Sequence, residues 1–156
     1  MELDDLVIET ALLIIPLAVF FLLVDRKRIK ELYPTGLWAA SFAMFTDHIG
    51  GELVLWQYST RLLISHIYPP MDIIIMPVQS MLLVQFLPPT GFKRLFLVVA
   101  LSGINTISEF LLMYYTPIVT YPKWSAVSSF IVYIVFYFLT IRLHQWYTSG
   151  KALKKM

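Results

Sequence analysis

The chain has no cysteine, and only 14% of its 156 residues are charged. The lack of cysteine excludes disulfides, thiolate metal ligands and cysteine nucleophiles. Soluble domains contain about 25% charged residues, so this low charge, together with 58% hydrophobic residues, is typical of a membrane protein. The net charge of +2 is small and the basic residues are confined to short segments, so we predict no nucleic-acid partner.

The sequence also lacks the common signatures of soluble enzymes. It has no Walker loop, no GxSxG elbow and no Rossmann fingerprint. The first five residues, Met-Glu-Leu-Asp-Asp, are acidic where a cleavable signal would be basic, so we expect the first apolar run to be retained as a helix. These absences favour a non-enzymatic protein, and no catalytic residue is assigned.

Five apolar stretches are long enough to cross a bilayer as helices, with the third at the short limit. Runs this long and continuous favour helices over the strands of a barrel. We therefore predict an all-α fold: a single domain over residues 1–156, forming a polytopic transmembrane bundle of about five spanning helices. The stretches cover residues 6–24, 36–58, 71–87, 95–115 and 125–143.

The distribution of Lys and Arg predicts the orientation. Ten of the twelve basic residues fall on one side of the predicted bundle, and only Arg61 and Lys123 fall on the other. Basic loops stay in the cytoplasm, so we expect the N-terminus outside and the C-terminus inside. Aromatic residues near the outer ends are predicted to mark that interface: Trp56, Tyr58, Tyr68, Tyr114, Tyr121 and Trp124.

Two stretches contain helix-disrupting residues. Gly50-Gly51 leaves the second stretch open to two interpretations: one long helix, or a helix ending near His48 followed by an interfacial segment from Leu53 to Tyr68. The glycine pair either allows close packing or marks a discontinuous helix that lines a site. In the third stretch, Pro77 should free the carbonyl of Ile73 and kink the helix.

Polar residues recur at helical spacing inside these stretches. In the fourth, Ser102, Asn105 and Glu109 are spaced so that they share one face. The second stretch carries Asp47, His48 and Glu52, and the third carries Asp72 and Gln79. In the predicted topology Asp47 lies near the midplane, while the other carboxylates lie in the outer half of the membrane.

These groups have no predicted Lys or Arg at their depth. A buried carboxylate without a cation tends to hold a proton or bind a cation. The sequence therefore predicts a polar cavity open to the outside, although protonated groups that only stabilise the bundle fit the same pattern. The candidate binding residues are Glu109, Asp47, His48, Glu52, Asn105, Gln79 and Asp72. His48 and Glu52 are four residues apart, but this spacing is common by chance, so we predict no metal site and no cofactor.

The layout resembles a family of small, uncharacterised multi-pass membrane proteins of endospore-forming Gram-positive bacteria. The resemblance rests on Asp47, on Tyr68-Pro69-Pro70 leading into Met71-Asp72, and on Pro77, Gln85, Glu109 and Trp124. It implies the plasma membrane of a bacterium. It implies no activity and no catalytic residue.

Three hypotheses for function follow. The first is a transport or cation-binding protein in which Glu109 and Asp47 carry a proton, cation or small solute and His48 relays protons. The second is an intramembrane enzyme acting on a lipid or isoprenoid, with a protonated carboxyl as general acid. The third is a non-catalytic bundle that binds lipid or a partner helix. Membrane lipids are expected partners in each, and a second copy of the chain could be needed to enclose a pore.

Overall fold

The computed structural model describes residues 3–60 and 62–153, with side chains described for 7–60 and 62–149. The chain forms five main helical segments. The bounds are α1 Leu3–Leu23, α2 Ile29–Glu52, α3 Met76–Gln85, α4 Gly91–Tyr115 and α5 Ala126–Leu153, with a 3₁₀ turn Arg26–Arg28 before α2 and a π-helix Pro70–Ile75 before α3. Three of the basic residues used for orientation, Arg61, Lys154 and Lys155, lie outside the described residues.

The predicted helical class is confirmed, and the predicted limits of the first, fourth and fifth stretches agree with α1, α4 and the start of α5 within a few residues. The second stretch differs: α2 continues through Gly50-Gly51 but ends at Glu52 instead of reaching Tyr58. Its apolar continuation, Leu53 to Trp56, folds back as a loop. The sequence did not reveal this because the loop is as apolar as the helix before it.

Two helices, α4 and residues 126–149 of α5, are long and apolar enough to cross a membrane. Val7–Leu23 and Arg26–Glu52 meet the same criterion only as a pair, which is bent by 87° at the break, and Pro70–Gln85 is a shorter apolar helix. The described residues therefore contain two helices of membrane-spanning character, or three if the bent pair forms one span. The number of five crossings stays a prediction from the sequence.

The distribution of polar and apolar side chains in α4 is the reverse of that in a soluble helix bundle. In α4, Ser102 and Asn105 are buried, whereas Ile104 and Ile107 are more than half exposed. A helix that turns its polar face inward and its apolar face outward is adapted to a lipid surrounding. The apolar core between the helices is built around Ala39, Val98, Phe136 and Tyr137.

One end of the bundle, which we call the basic end, contains the 3₁₀ turn and the start of α4. Gln85 joins α1 to α3 there: its Nε2 donates to the carbonyl of Leu23 and its Oε1 accepts from the backbone of Asp25, both at 2.8 Å. His144 of α5 contacts Thr35 at 2.9 Å and Glu31 at 3.3 Å. These contacts join α5 to α2 at this end.

The opposite end, the sheet end, carries two short antiparallel strands, β1 Gln57–Tyr58 and β2 Val119–Thr120. Glycines allow the β1 loop to fold against α2. A Cβ added at Gly50 would overlap the indole of Trp56, and one added at Gly51 would overlap the imidazole of His66. The glycine pair therefore serves close packing, the first of its two predicted roles, but the partner is a loop and not a neighbouring helix.

Candidate functional site

Three carboxyl groups from three separate elements line one cavity near the sheet end. Asp47 comes from α2, Asp72 from the π-helix and Glu109 from α4, and the cavity has a volume of about 70 Å³. We call it the acid cavity; it has room for a few water molecules. Asp47 lies five residues before the end of α2 and Glu109 six before the end of α4, or roughly 8–9 Å at 1.5 Å per residue.

Asp47 receives its hydrogen bonds from the loop that folds back over α2. Its Oδ1 accepts from Trp56 Nε1 at 3.1 Å and, more weakly, from the hydroxyl of Tyr58 at 3.4 Å. The residue is only 7% exposed. Its other oxygen, Oδ2, is buried and accepts no hydrogen bond from any described donor. Both donors are neutral, so the carboxyl has no cation among them.

Asp72 lies in the first turn of the π-helix and is 1% exposed. Its Oδ2 accepts from the backbone N–H of Tyr68 at 3.0 Å, which fixes the start of the helix. Asp72 and Asp47 line the same cavity. Like charges in one site disfavour the ionisation of both groups, so one carboxyl of such a pair tends to keep its proton.

The π-helix explains how Asp72 reaches this position. Met76 donates its N–H to the carbonyl of Met71, the wider five-residue spacing of a π-helix. Pro77, which has no N–H, follows in the first turn of α3. The predicted disruption at Pro77 is therefore present as a widened turn before the proline. This turn packs against both α1 and α2.

Glu109 stands between the acid cavity and a second cavity. Its Oε1 accepts a hydrogen bond from Tyr133 of α5, and the hydroxyls of Tyr121 and Ser129 lie beside it. Its Oε2 is buried without a donor among the described residues. As with Asp47, one oxygen is held by neutral donors and the other is free to accept from a ligand or a water molecule.

The second cavity, which we call the lateral cavity, measures about 240 Å³. It lies between α1, the π-helix with α3, and α4, and its apolar lining includes Leu12, Pro16, Ile75, Ile104 and Leu112. Ile104 is 56% exposed on the outer surface of α4, so this cavity borders the region that lipid would occupy. The residues that line both cavities are Tyr58, Met71, Glu109 and Tyr121.

A ring of amide and hydroxyl groups closes the polar region towards the basic end. The Gln79 and Asn105 side chains exchange hydrogen bonds at 3.0 and 3.1 Å. Asn105 Nδ2 also donates to the hydroxyl of Tyr137 at 2.6 Å, and that hydroxyl donates to Gln79 Oε1 at 2.9 Å. The ring joins α3, α4 and α5, and both amides also line the lateral cavity. Gln79 and Asn105 therefore stabilise the helix packing and are also placed to contact a ligand in the lateral cavity.

Five of the seven candidate residues are thus brought together, and two are not. His48 and Glu52 are exposed, and they line neither cavity. Glu52 contacts the imidazole of His66 at 3.2 Å, and the rings of His48 and His66 lie 6.0 Å apart. The reason is helical rotation: one residue turns a side chain by about 100°, so His48 points away when Asp47 points inward.

The aromatic residues that line the acid cavity were not predicted from the sequence as part of the site. Trp56, Tyr58, Tyr121 and Trp124 were predicted to mark the outer interface, but all four line the acid cavity. The indoles of Trp56 and Trp124 contact edge to face, with centroids 4.9 Å apart. Tyr114 is 78% exposed, as expected of an interfacial residue. The Gly50-Gly51 pair was the signal for the fold-back, because it makes room for Trp56.

Among the residues that the structure describes, no Lys or Arg lines either cavity. The described residues also contain no group of three His, Cys, Asp or Glu side chains arranged around a metal position. In comparisons with known proteins, no family model, no curated protein and no solved structure matches this chain.

Proposed function

We propose that this chain is a multi-pass membrane protein whose acid cavity takes up and releases protons in step with the binding of a small solute or cation. The observation that carries the proposal is the convergence of Asp47, Asp72 and Glu109 on one cavity. Asp47 and Asp72 line this cavity together with Glu109, and a proton held by one of these carboxyl groups can be exchanged for a positive ligand. Intramembrane carboxyl groups commonly serve proton-coupled transport.

The proposal includes five membrane crossings, with the basic end in the cytoplasm and the sheet end outside. Support comes from the basic residues Arg26, Lys27, Arg28, Lys93 and Arg94, which gather near one end. The 16 residues Pro70–Gln85 span about 24 Å at 1.5 Å per residue, short of the ~30 Å hydrocarbon core. Their crossing therefore requires local thinning of the bilayer. We also propose that the protein lies in the plasma membrane of a bacterium, and this location rests on the family resemblance alone.

Trp56 offers a direct test, because its indole donates to Asp47. Two of the chain's four tryptophans, Trp38 and Trp146, do not line the acid cavity. In a variant with both replaced by Phe, the remaining fluorescence comes from Trp56 and Trp124. We expect this fluorescence, measured in lipid nanodiscs, to change reversibly as pH is varied, with one step that depends on Asp47.

Asp47→Asn keeps the size of the side chain but cannot gain or lose a proton, so the step should disappear in it. Glu52→Gln is the matched control, because it removes an exposed carboxyl near the same end of α2 and should leave the step intact. An unchanged step in Asp47→Asn would show that the fluorescence reports another group, and Asp47 would then not be the residue that takes up the proton.

A second candidate function, an intramembrane enzyme acting on a lipid or isoprenoid, is favoured by the lateral cavity. Its lining is largely apolar and it leads from the lipid-facing side of α4 to the carboxyl of Glu109. A protonated carboxyl at the end of an apolar channel can act as a general acid. Lipid extracts of cells with and without the gene distinguish the two functions, since a carrier leaves the lipid species chemically unaltered.

A further inference from the structure

Two residues on different helices line the acid cavity, and each has one carboxylate oxygen without a partner among the described residues. These oxygens, Asp47 Oδ2 and Glu109 Oε2, are both buried. A buried acceptor without a donor is unfavourable, so each oxygen is suited to accept a hydrogen bond from a ligand. Asp47 is itself 7% exposed, which excludes ready access to bulk water.

The walls around these oxygens are aromatic. The acid cavity is lined by Trp56, Tyr58, Tyr121, Trp124 and Tyr133. Faces of such rings attract organic cations, and the attraction grows when water is excluded. A carboxylate pair alone could hold a metal ion or a proton, but carboxylates combined with aromatic faces are suited to an ammonium group on a carbon chain.

The lateral cavity provides space for such a chain. It shares Tyr58, Met71, Glu109 and Tyr121 with the acid cavity, so the two spaces meet at Glu109. From there it runs between Leu12 of α1 and Ile104 of α4 to the lipid-facing surface. An anionic head group would meet carboxyl groups and no described Lys or Arg, and a neutral alcohol would leave the charge of the site unmatched.

We infer that the ligand of this protein is an amphiphilic primary amine, with its ammonium group between Asp47 and Glu109 and its apolar chain in the lateral cavity. This inference rests on the proposed function and names its ligand class. A primary ammonium has three N–H donors, enough for both free oxygens and one more acceptor. It enters laterally from the membrane, where an amphiphile concentrates.

Protons compete with the amine for the same oxygens. The titratable groups that face the site are Asp47 from α2, Asp72 from the π-helix, Glu109 from α4, Tyr133 from α5, and Tyr58 and Tyr121 from the strand loops. Of these, the three carboxyl groups gain protons as pH falls, while the tyrosines are already neutral. Amine binding should therefore weaken at low pH, and amine binding at constant pH should release protons.

The experiment measures binding of n-octylamine to the purified full-length chain with Trp38→Phe and Trp146→Phe, in nanodiscs of zwitterionic lipid, through the fluorescence of Trp56 and Trp124. Three probes with the same chain serve as comparisons: octanol, octyl sulfate and octyltrimethylammonium. Octylamine should bind saturably and tightest, because octanol and octyl sulfate lack the positive charge and the quaternary amine has no N–H donor. Equal binding of octanol or octyltrimethylammonium would overturn the assignment of a primary ammonium.

Two variants locate the ligand. Glu109→Gln should weaken octylamine binding about tenfold or more, because a charge-assisted hydrogen bond is lost, whereas Glu52→Gln should not. Ile104→Phe should narrow the lateral cavity and weaken octylamine binding, and it adds no tryptophan to the fluorescence signal. Because Ile104 faces outward, that variant should fold. Unchanged binding in Glu109→Gln or in Ile104→Phe would refute the inference.

The two proposals fail separately. If octylamine does not bind but the Asp47-dependent fluorescence step is present, the proton site stands and the amine ligand is wrong. If the step is also absent in the wild-type chain, the proposed function fails together with the inference that rests on it.

Discussion

Replacing Asn105 by alanine should destabilise the protein more than any comparably small change in α4. Asn105 is 4% exposed and makes three hydrogen bonds within the ring: two with Gln79, at 3.0 and 3.1 Å, and one with Tyr137 at 2.6 Å. These bonds join α4 to α3 and to α5. The alanine side chain makes none of them and leaves the amide of Gln79 only its bond from Tyr137.

The magnitude follows from measurements on membrane helices. Interhelical hydrogen bonds there contribute on average about 0.6 kcal/mol and at most about 1.7 kcal/mol each. Three such bonds give about 2 kcal/mol, and the amide groups of Gln79 left without partners bring the expected loss to about 2–4 kcal/mol. For a chain of this size, at about 2–4 °C per kcal/mol, we expect the melting temperature to fall by roughly 4–16 °C.

The control is Ser102→Ala, three residues earlier on the same buried face of α4. Ser102 is fully buried, but its hydroxyl has no hydrogen-bond partner in the described part of the chain. Removing an unpaired buried hydroxyl should be neutral or stabilising. Both variants are compared with the wild type by circular dichroism during heating in the same detergent. The reasoning is refuted if Asn105→Ala melts within about 1 °C of wild type, or no lower than Ser102→Ala.

Two further predictions concern the sheet end and the orientation of the bundle. Gly50→Ala should destabilise the protein by about 1–3 kcal/mol because its methyl group would overlap Trp56. Gly103→Ala should instead stabilise α4 by about 0.5–1 kcal/mol, because the space around Gly103 is open. Equal melting temperatures for the two variants would contradict the packing of Gly50 against Trp56. Since the chain has no cysteine, Ser59→Cys and Thr90→Cys each introduce a single thiol, at opposite ends of the bundle. A membrane-impermeant maleimide should label intact cells only when the thiol is at position 59. Labelling at position 90 alone would show that the orientation is the opposite of the proposed one.

Much of the helical framework could be predicted from the sequence because long apolar runs leave the backbone little choice but a helix. The buried stripe of α4 could be predicted for the same reason: Ser102, Asn105 and Glu109 recur at helical spacing in a run that is otherwise apolar. All three are placed inward, towards α3 or α5 or the acid cavity. Residues at helical spacing share one face as soon as the helix forms, so their common direction can be predicted from the sequence of that helix alone.

The relations between segments could not be predicted in this way. The segment after Glu52 is as apolar as a membrane helix, and its fold-back depends on two glycines meeting Trp56 and His66, residues that are close in space and not periodic in sequence. Trp56 and Tyr58 fit an interfacial belt equally well, because an aromatic ring with a polar atom suits both a membrane interface and a buried carboxyl. Composition does not separate these two environments.

The loops at the sheet end are therefore part of the site, and not only connections between helices. Both hydrogen-bond donors to Asp47 Oδ1 come from the loop that contains β1. This loop is held by pairing with β2, and Tyr121, one residue beyond β2, lies beside Glu109. Any opening of the strand pair would remove the donors of one carboxyl and disturb the surroundings of the other. The two acids are thus linked through the loops as well as through the shared cavity, so a ligand that bridges Asp47 and Glu109 would also stabilise the paired strands.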